Sequence, residues 1–167
     1  MKNLLILRHG SAETRGPDGR DFTRALTPKG DREARVQGGF LREAGIVPEF
    51  IATSTAVRAH TTAEVLLEAL GAAVPLTPEE SLYNAPGELL LDYVQRLPEQ
   101  AGIVLLVAHM PGVAELLGLL ASDPADMAVP FSPGTLVGVS LESCPHWAEV
   151  VPGCGVVEWL LPPLYLT

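Results

Sequence analysis

The chain carries near its beginning a strand-forming run that ends in two basic side chains, NLLILRHG at residues 3–10. The apolar run delivers Arg8 and His9 to the tip of a predicted strand, and Gly10 follows at once. Arginine presents a rigid fork of donors that matches phosphate or carboxylate, and glycine lets the backbone approach a ligand closely. The stretch therefore predicts an anion site at the end of a strand.

Two later stretches place matching groups at other junctions between a strand and a helix. Residues 54–59 read STAVRA and hold Arg58 in the first turn of a predicted helix, and residues 107–111 read VAHMP and hold His109 just after a strand. The ligand crevice of an open parallel sheet lies at the carboxyl ends of its strands. Since all three stretches are expected at the same edge of the sheet, they predict a shared pocket.

Apolar runs bounded by turn residues alternate along the chain with segments of helical periodicity, which predicts an α/β fold with a mostly parallel central sheet. An antiparallel strand is expected to close the sheet. Strands are predicted near 3–8, 49–54, 103–108, 135–141 and 156–161, and a short one can be placed at 73–76.

Capping signals set the predicted helix ends. Thr27 as N-cap, with Pro28 at the first helical position, predicts a first helix that stops near Gly45, and a second helix runs from just after Ser54 to Gly71. A third helix is predicted to start at 84–86 with Asn84 as N-cap, and a fourth at Pro111. Segment 13–24 is expected to be a mobile loop and 160–167 a tail. The predicted buried residues are Leu89, Leu90, Tyr93, Val94 and Leu97 in the third helix, and Val113, Leu116, Leu117 and Leu120 in the fourth.

Length and hydropathy predict one domain over residues 1–167. Mean hydropathy is +0.26, yet the most apolar stretch, 103–121, is interrupted by polar and helix-breaking residues, so it does not provide the about 20 apolar residues of a membrane span. The apolar run before Arg8 is shorter than a signal-peptide core of roughly 7 to 15 residues. Cytoplasmic residence and no membrane partner are therefore expected.

The net negative charge argues against nucleic acid as a partner. A net charge of −9 repels nucleic acid at long range, so a phosphate must be captured locally by clustered cations. The histidines are scattered, and Cys144 and Cys154 lack the spacing of metal ligands. We therefore expect no metal and no cofactor, and reduced thiols at both cysteines.

Taken together, the three stretches resemble the histidine phosphatase superfamily, whose signature is Arg-His-Gly near the start, a later Arg that opens a helix, and a late His after a strand. Residues 21–30, DFTRALTPKG, and 81–85, SLYNA, are similar to its small SixA-type branch, which is associated with phosphohistidine phosphatase activity. The phosphoglycerate mutases match less well, because Thr and Asn follow their signature where this chain has 11–14, SAET. The resemblance implies a phosphoglycerate mutase-like, three-layer α/β/α fold.

The resemblance also implies a role for each matching residue. His9 is expected to attack phosphorus and form a phosphohistidine intermediate, with its other ring nitrogen held by a backbone carbonyl such as that of Gly10. Arg8 and Arg58 would clamp the phosphoryl oxygens, and His109 would donate a hydrogen bond to one of them.

The remaining candidate residues lie outside this set of two histidines and two arginines. Asp21 and Arg24 are assigned to substrate binding at the pocket rim, although a solvated loop salt bridge is an equal reading. His60 and His146 are expected to be ordinary surface or packing residues.

The chain departs from the wider superfamily in its general acid. Many relatives place a Glu after the helix that carries the second Arg, but residues 79–84 read EESLYN and put no acid clearly at that point. Glu79 and Glu80 are expected to be solvated, while Glu13 or Asp21 remain alternative donors on the loop. An alkoxide leaving group resembles hydroxide, with a water pKa of about 15.7, whereas a phosphohistidine already protonated on its ring expels neutral imidazole, whose conjugate acid has a pKa of about 6.5. A missing acid therefore favours a P–N bond or an aryl phosphate.

These inferences predict a metal-independent phosphatase that acts on phosphohistidine in a partner protein. A phosphatase of small phosphomonoesters remains an alternative within enzymes, and a non-catalytic phosphate-binding or sensing module is the alternative outside them. The expected assembly state is a monomer or a weak dimer.

Overall fold

The computed structural model describes residues 1–123 and 130–165. Its strands form one six-stranded sheet in the order β3-β2-β4-β1-β5-β6, in which the first four strands run parallel and the last two pair antiparallel. The predicted mostly parallel sheet with an antiparallel end is confirmed. The elements are β1 (Asn3–Arg8), α1 (Pro28–Glu43), β2 (Phe50–Ser54), α2 (Val57–Leu70), β3 (Leu76–Glu79), α3 (Gly87–Val94), β4 (Ile103–Ala108), α4 (Gly112–Leu120), β5 (Leu136–Ser140) and β6 (Val156–Leu161).

Helices cover both faces of the sheet, which confirms the predicted three-layer α/β/α architecture. In β1, Leu4 and Ile6 pack on the side of α3 and α4, while Leu5 and Leu7 pack on the side of α1 and α2. Alternate side chains of a strand point to opposite faces, and a central parallel strand is buried on both. The continuous apolar run before Arg8 thus places β1 in the middle of the sheet.

The capping predictions for the first two helices hold. The Thr27 side chain accepts a hydrogen bond from the Gly30 amide at 3.1 Å, and Pro28 is the first helical residue. Gly71 follows α2 with a φ of 73°, a left-handed conformation that glycine adopts without strain. These caps fix where each helix begins and ends relative to the sheet edge.

Three boundary predictions were wrong. The edge strand is 76–79 and not 73–76, because its register is set by pairing with β2 from Ile51 onward. The third helix begins at Gly87 with Pro86 as cap, so Asn84 does not cap it and instead has a φ of 50°. The predicted tail contributes its first two residues to β6, and 163–165 form a short 3-10 helix, while 166–167 lie outside the described residues.

The predicted buried faces of α3 and α4 are correct with one exception. Leu89 is 54% exposed, whereas Leu90, Leu91 and Val94 form the face of α3 that is buried against the core. Tyr93 packs against the core while partly buried, and Leu97 is buried just beyond the end of the helix. All four predicted residues of α4 are buried. No helix in the described part of the chain is long and apolar enough to cross a membrane.

Two adjacent glycines in α1 offer a test of how this helix packs on α2. A Cβ on Gly38 would collide with the carbonyl oxygen of Leu66 and lie 2.8 Å from the Ala69 Cβ, whereas a Cβ on Gly39 would meet nothing within 4 Å. We expect Gly38→Ala to lower the free energy of unfolding by about 1–3 kcal/mol through overpacking. Gly39→Ala is expected to raise it by about 0.5–1 kcal/mol, because alanine favours a helix. Urea unfolding of both variants measures the difference, and equal effects would contradict this packing.

Candidate active site

The carboxyl ends of β1, β2 and β4 meet at one edge of the sheet, and a pocket of about 270 Å³ opens there. All six residues predicted for the site line it, so the separate stretches of sequence do converge. Two residues that the sequence did not assign to the site, Asn84 and Met110, complete the wall. The full lining is Arg8, His9, Asp21, Arg24, Arg58, Asn84, His109 and Met110.

The two ring nitrogens of His9 have distinct partners. Nδ1 lies 2.7 Å from the Gly10 carbonyl oxygen, the kind of acceptor expected from the sequence, and Nε2 lies 3.3 Å from the Nε of Arg58. Guanidinium groups only donate hydrogen bonds, so Nε2 is the acceptor and the ring proton is on Nδ1. The Nε2 lone pair therefore points toward the arginine in the pocket.

Burial keeps both pocket histidines neutral at pH 7. Desolvation and the nearby charges of Arg58, Arg8 and Arg24 outweigh the Gly10 hydrogen bond and lower the pKa of His9 to about 4. Burial, His9 and Arg58 lower the pKa of His109 to about 3. The two rings lie 5.1 Å apart between centroids. A neutral His9 retains the lone pair that a nucleophile requires.

These lowered pKa values predict a specific pH response. In NMR titrations of the imidazole groups, His9 and His109 should stay neutral at pH 5 and protonate near pH 4 and below. Histidines in the urea-unfolded chain should titrate near about 6.5. The unfolded state then binds more protons at these two histidines between these values, so their contribution to stability falls as pH drops below about 6.5 and levels off once His9 and His109 protonate in the folded state. A His9 titration near pH 6.5 in the folded protein would contradict this account.

Arg58 is buried and holds the loop that crosses the pocket. Its guanidinium donates to the backbone carbonyl of Asp21 at 2.8 Å and to the Asp21 carboxylate at 3.0 Å. The same carboxylate accepts from the Tyr83 hydroxyl at 2.6 Å and from Arg24 at 2.9 Å. Asp21 thus lines the pocket and also forms a loop salt bridge with Arg24, while its assignment to substrate binding stays a prediction.

The hydrogen bond from Tyr83, followed by those from Arg24 and Arg58, holds the pKa of the Asp21 carboxyl well below its usual range. Among the residues that the structure describes, Asp21 is the only carboxylate in the pocket lining, and neither Glu13, Glu79 nor Glu80 reaches that lining. The site therefore contains an ionised acid that is a poor proton donor.

Two buried polar atoms in the pocket residues have no hydrogen-bond partner in the described part of the chain: Arg8 Nε and His109 Nδ1. Arg8 is anchored through its other end, where NH1 donates to the Phe131 carbonyl at 2.9 Å. His109 is anchored through Nε2, which lies 2.7 Å from the Ser54 hydroxyl. A buried donor without an acceptor costs free energy, and an oxyanion in the pocket would supply acceptors.

Four residues that sequence reasoning did not place in the site support it. Ser54 contacts His109, Tyr83 contacts Asp21, and Asn84 lines the pocket in a left-handed conformation. Thr62 accepts from the Gly10 amide at 3.0 Å and donates to the Arg58 carbonyl at 2.6 Å, which ties β1 to α2. The sequence could have predicted that Thr62 lies near the site, because it is one helical turn after Arg58.

The described residues contain no group of three or more His, Cys, Asp or Glu side chains arranged to hold a metal ion.

Comparison with known proteins gives one family match. Residues 4–85 match the model of the histidine phosphatase superfamily (branch 1). An uncharacterised protein of Mycobacterium tuberculosis is 34% identical over 158 residues, which cover 90% of this chain and 96% of that protein. The phosphohistidine phosphatase SixA of Escherichia coli is 26% identical over 166 residues, or 98% of this chain and 95% of SixA.

Solved structures agree with the sequence comparison. The structure of the protein histidine phosphatase SixA complexed with tungstate superposes with a TM-score of 0.83 at 26% identity, and 99% of each chain is covered. The phosphoglycerate mutase-like fold implied by the sequence resemblance is thereby confirmed.

Proposed function

Because this chain belongs to the SixA-type branch of the histidine phosphatase superfamily and is a phosphatase, we propose that it hydrolyses phosphohistidine in a partner protein, using His9 as nucleophile. The curated name of the Escherichia coli relative supports this substrate class, and the tungstate in the SixA structure is a tetrahedral oxyanion, as phosphate is.

In the first step the Nε2 lone pair of His9 attacks phosphorus. The substrate imidazole is already protonated on its other ring nitrogen. Its bond to phosphorus breaks as the P–Nε2 bond forms, and the electron pair of the broken bond leaves with a neutral imidazole. The bond from Nδ1 to the Gly10 carbonyl fixes the reactive tautomer before substrate arrives and stabilises the charge that develops on the ring. Water then attacks the phosphoryl group, inorganic phosphate leaves, and His9 is regenerated.

Several hydrogen-bond donors of the pocket residues are available to a phosphoryl group bound at His9. Arg8 Nε is free to donate to an oxygen, and Arg58 Nε, which faces His9 Nε2 in the resting site, is close enough to the nucleophile to do the same. If the Ser54 hydroxyl donates to His109 Nε2, the His109 proton is on Nδ1, the atom that lacks a partner in the described chain. Preorganised donors of this kind stabilise the charge of a phosphoryl transition state.

The observation that carries the choice of substrate is the ionised state of Asp21. Three donors hold this carboxylate, and its lowered pKa makes it a poor proton donor to a leaving group. An alkoxide needs such a donor, because its basicity approaches that of hydroxide with a water pKa of about 15.7. A phosphohistidine already protonated on its ring does not, since it expels neutral imidazole, whose conjugate acid has a pKa of about 6.5. The pocket therefore suits a P–N substrate better than an alkyl phosphate.

The test compares three substrates with the same enzyme, without added metal: a phosphohistidine peptide, an aryl phosphate and phosphoserine. We expect kcat/KM to follow the leaving group, with the phosphohistidine peptide fastest and phosphoserine slowest. The Asp21→Asn variant should not lower the relative rate on phosphoserine, because Asp21 supplies no proton to that leaving group.

Two results would redirect the proposal. Turnover of aryl phosphate and phosphoserine without turnover of the phosphohistidine peptide would assign the enzyme to small phosphomonoesters. A selective loss of phosphoserine turnover in Asp21→Asn would show that Asp21 is the general acid after all.

A further inference from the structure

A second and larger cavity, of about 560 Å³, lies along the first half of α1. We call it the α1 groove. Lys29, Arg32 and Arg35 contribute three basic side chains to its lining, and Val36, Pro133 and Pro163 contribute apolar surface. The groove thus combines positive charge with an apolar wall.

The α1 groove adjoins the catalytic pocket through shared backbone. Ser11, which lines the groove, is two residues from His9, and its amide and hydroxyl donate to the Glu33 carboxylate at 2.7 and 2.9 Å. On the opposite side, the amide of Gly134, next to Pro133, donates to the carbonyl oxygens of Arg8 and His9 at 3.1 Å. A ligand seated in the groove therefore lies beside the strand end that carries the nucleophile.

The positive charge of the α1 groove is exceptional for this chain. The net charge is −9, yet six of the eleven Lys and Arg residues line either the catalytic pocket or the groove. Within residues 1–123 and 130–165, Glu33 is the one carboxylate in the groove lining, and it accepts hydrogen bonds from the amide and the hydroxyl of Ser11. Clustered cations on an acidic protein attract an acidic ligand locally while the rest of the surface repels it.

The basic side chains of the groove differ in how freely they can bind a ligand. Lys29 and Arg32 are exposed and form no ion pair within the described residues, whereas Arg35 pairs with Asp31 at 2.8 Å and with Glu68 at 3.3 Å. Lys29 and Arg32 are thus the two cations free to pair with an incoming carboxylate.

We propose that the α1 groove binds an acidic segment with apolar side chains in the phosphorylated partner protein, while the phosphorylated histidine of that partner enters the catalytic pocket. This proposal rests on the proposed function, since it identifies what surrounds the phosphohistidine. The apolar wall accommodates the uncharged side chains of the segment, and Lys29 and Arg32 pair with its carboxylates.

The test uses two peptides of about twelve residues around a central histidine, alike except that one carries four Glu where the other carries four Gln; both carry two Leu. Titrated without phosphorylation into the ¹⁵N-labelled full chain, the Glu peptide should shift amide signals of 28–36 and bind at least about tenfold more tightly than the Gln peptide. When both peptides are phosphorylated, wild-type kcat/KM should favour the Glu peptide by about tenfold.

The variant Lys29→Glu/Arg32→Glu should abolish the preference for the Glu peptide both in binding and in kcat/KM. It should leave turnover of an aryl phosphate unchanged. A matched control, Arg42→Glu/Arg96→Glu, makes the same change in net charge on exposed residues outside the groove and should keep both preferences. Thermal unfolding of each variant confirms that it folds.

Equal binding of the two peptides, or an equal loss in both double variants, would overturn the α1 groove as a docking site. Shifts of 28–36 that grow with protein concentration alone would assign the groove to a second copy of this chain and also overturn the proposal. Selective binding of the Glu peptide without phosphate release from its phosphorylated form, while aryl phosphate is turned over, would leave the groove standing and refute the phosphohistidine substrate.

Discussion

His9→Ala is expected to reduce phosphate release from a phosphohistidine peptide by at least about 10⁴-fold, the scale of loss seen when a catalytic nucleophile is removed. The reason is that His9 is the one described pocket residue whose contacts fix the tautomer of a neutral imidazole. The Gly10 carbonyl and Arg58 together assign the proton of His9 to Nδ1 and leave Nε2 unprotonated. Rapid-quench measurement of phosphate release gives the rate constants.

A matched control is His146→Ala, which removes a histidine whose side chain is 61% exposed and pairs with Glu99. That variant should keep the wild-type rate. Brief incubation with ³²P-labelled substrate should leave acid-labile label on the wild-type protein and on His146→Ala, but not on His9→Ala. Residual turnover in His9→Ala within tenfold of wild type, or label retained by that variant, would show that water attacks the substrate directly or that another residue is the nucleophile.

The parts of the site that could be predicted from the sequence are those set by local signals. A buried strand followed at once by Arg8 and His9 fixes the position of both groups, because a central parallel strand ends at the ligand edge. The Thr27 cap fixes the start of α1 in the same way. Each of these inferences needs only neighbouring residues, and each agrees with the structure.

The parts that could not be predicted depend on contacts between distant segments. Asp21 meets Arg58 across 37 positions and Tyr83 across 62, and the ionised state of its carboxyl follows from those contacts. Asn84 has the residue type of a helix cap, yet α3 starts three residues later and Asn84 lines the pocket instead. A capping preference of about 1 kcal/mol is small enough for tertiary packing to override.

Arg58→Lys is expected to lower kcat about 10²–10³-fold, the usual cost of removing one preorganised donor from a site that stabilises developing charge. Arg58 is buried, and its separate nitrogens reach His9 and the backbone and carboxylate of Asp21 at the same time. Lysine keeps the positive charge but has a single ammonium group, so it cannot span these partners and also donate to a phosphoryl oxygen. Steady-state rates on the phosphohistidine peptide measure the loss.

Two further variants separate the role of Arg58 at the phosphoryl group from its hold on the loop. Arg42→Lys makes the same substitution at an exposed arginine and should leave the rate unchanged. Asp21→Asn removes the charge of the loop carboxylate while the Arg58 guanidinium stays in the pocket, so its loss in kcat should be at least tenfold smaller than that of Arg58→Lys. If Arg58 stabilises the transition state directly, removal of its own donors must lower kcat more than removal of the Asp21 charge. Equal losses of kcat in Asp21→Asn and Arg58→Lys would therefore mean that Arg58 acts only by positioning Asp21.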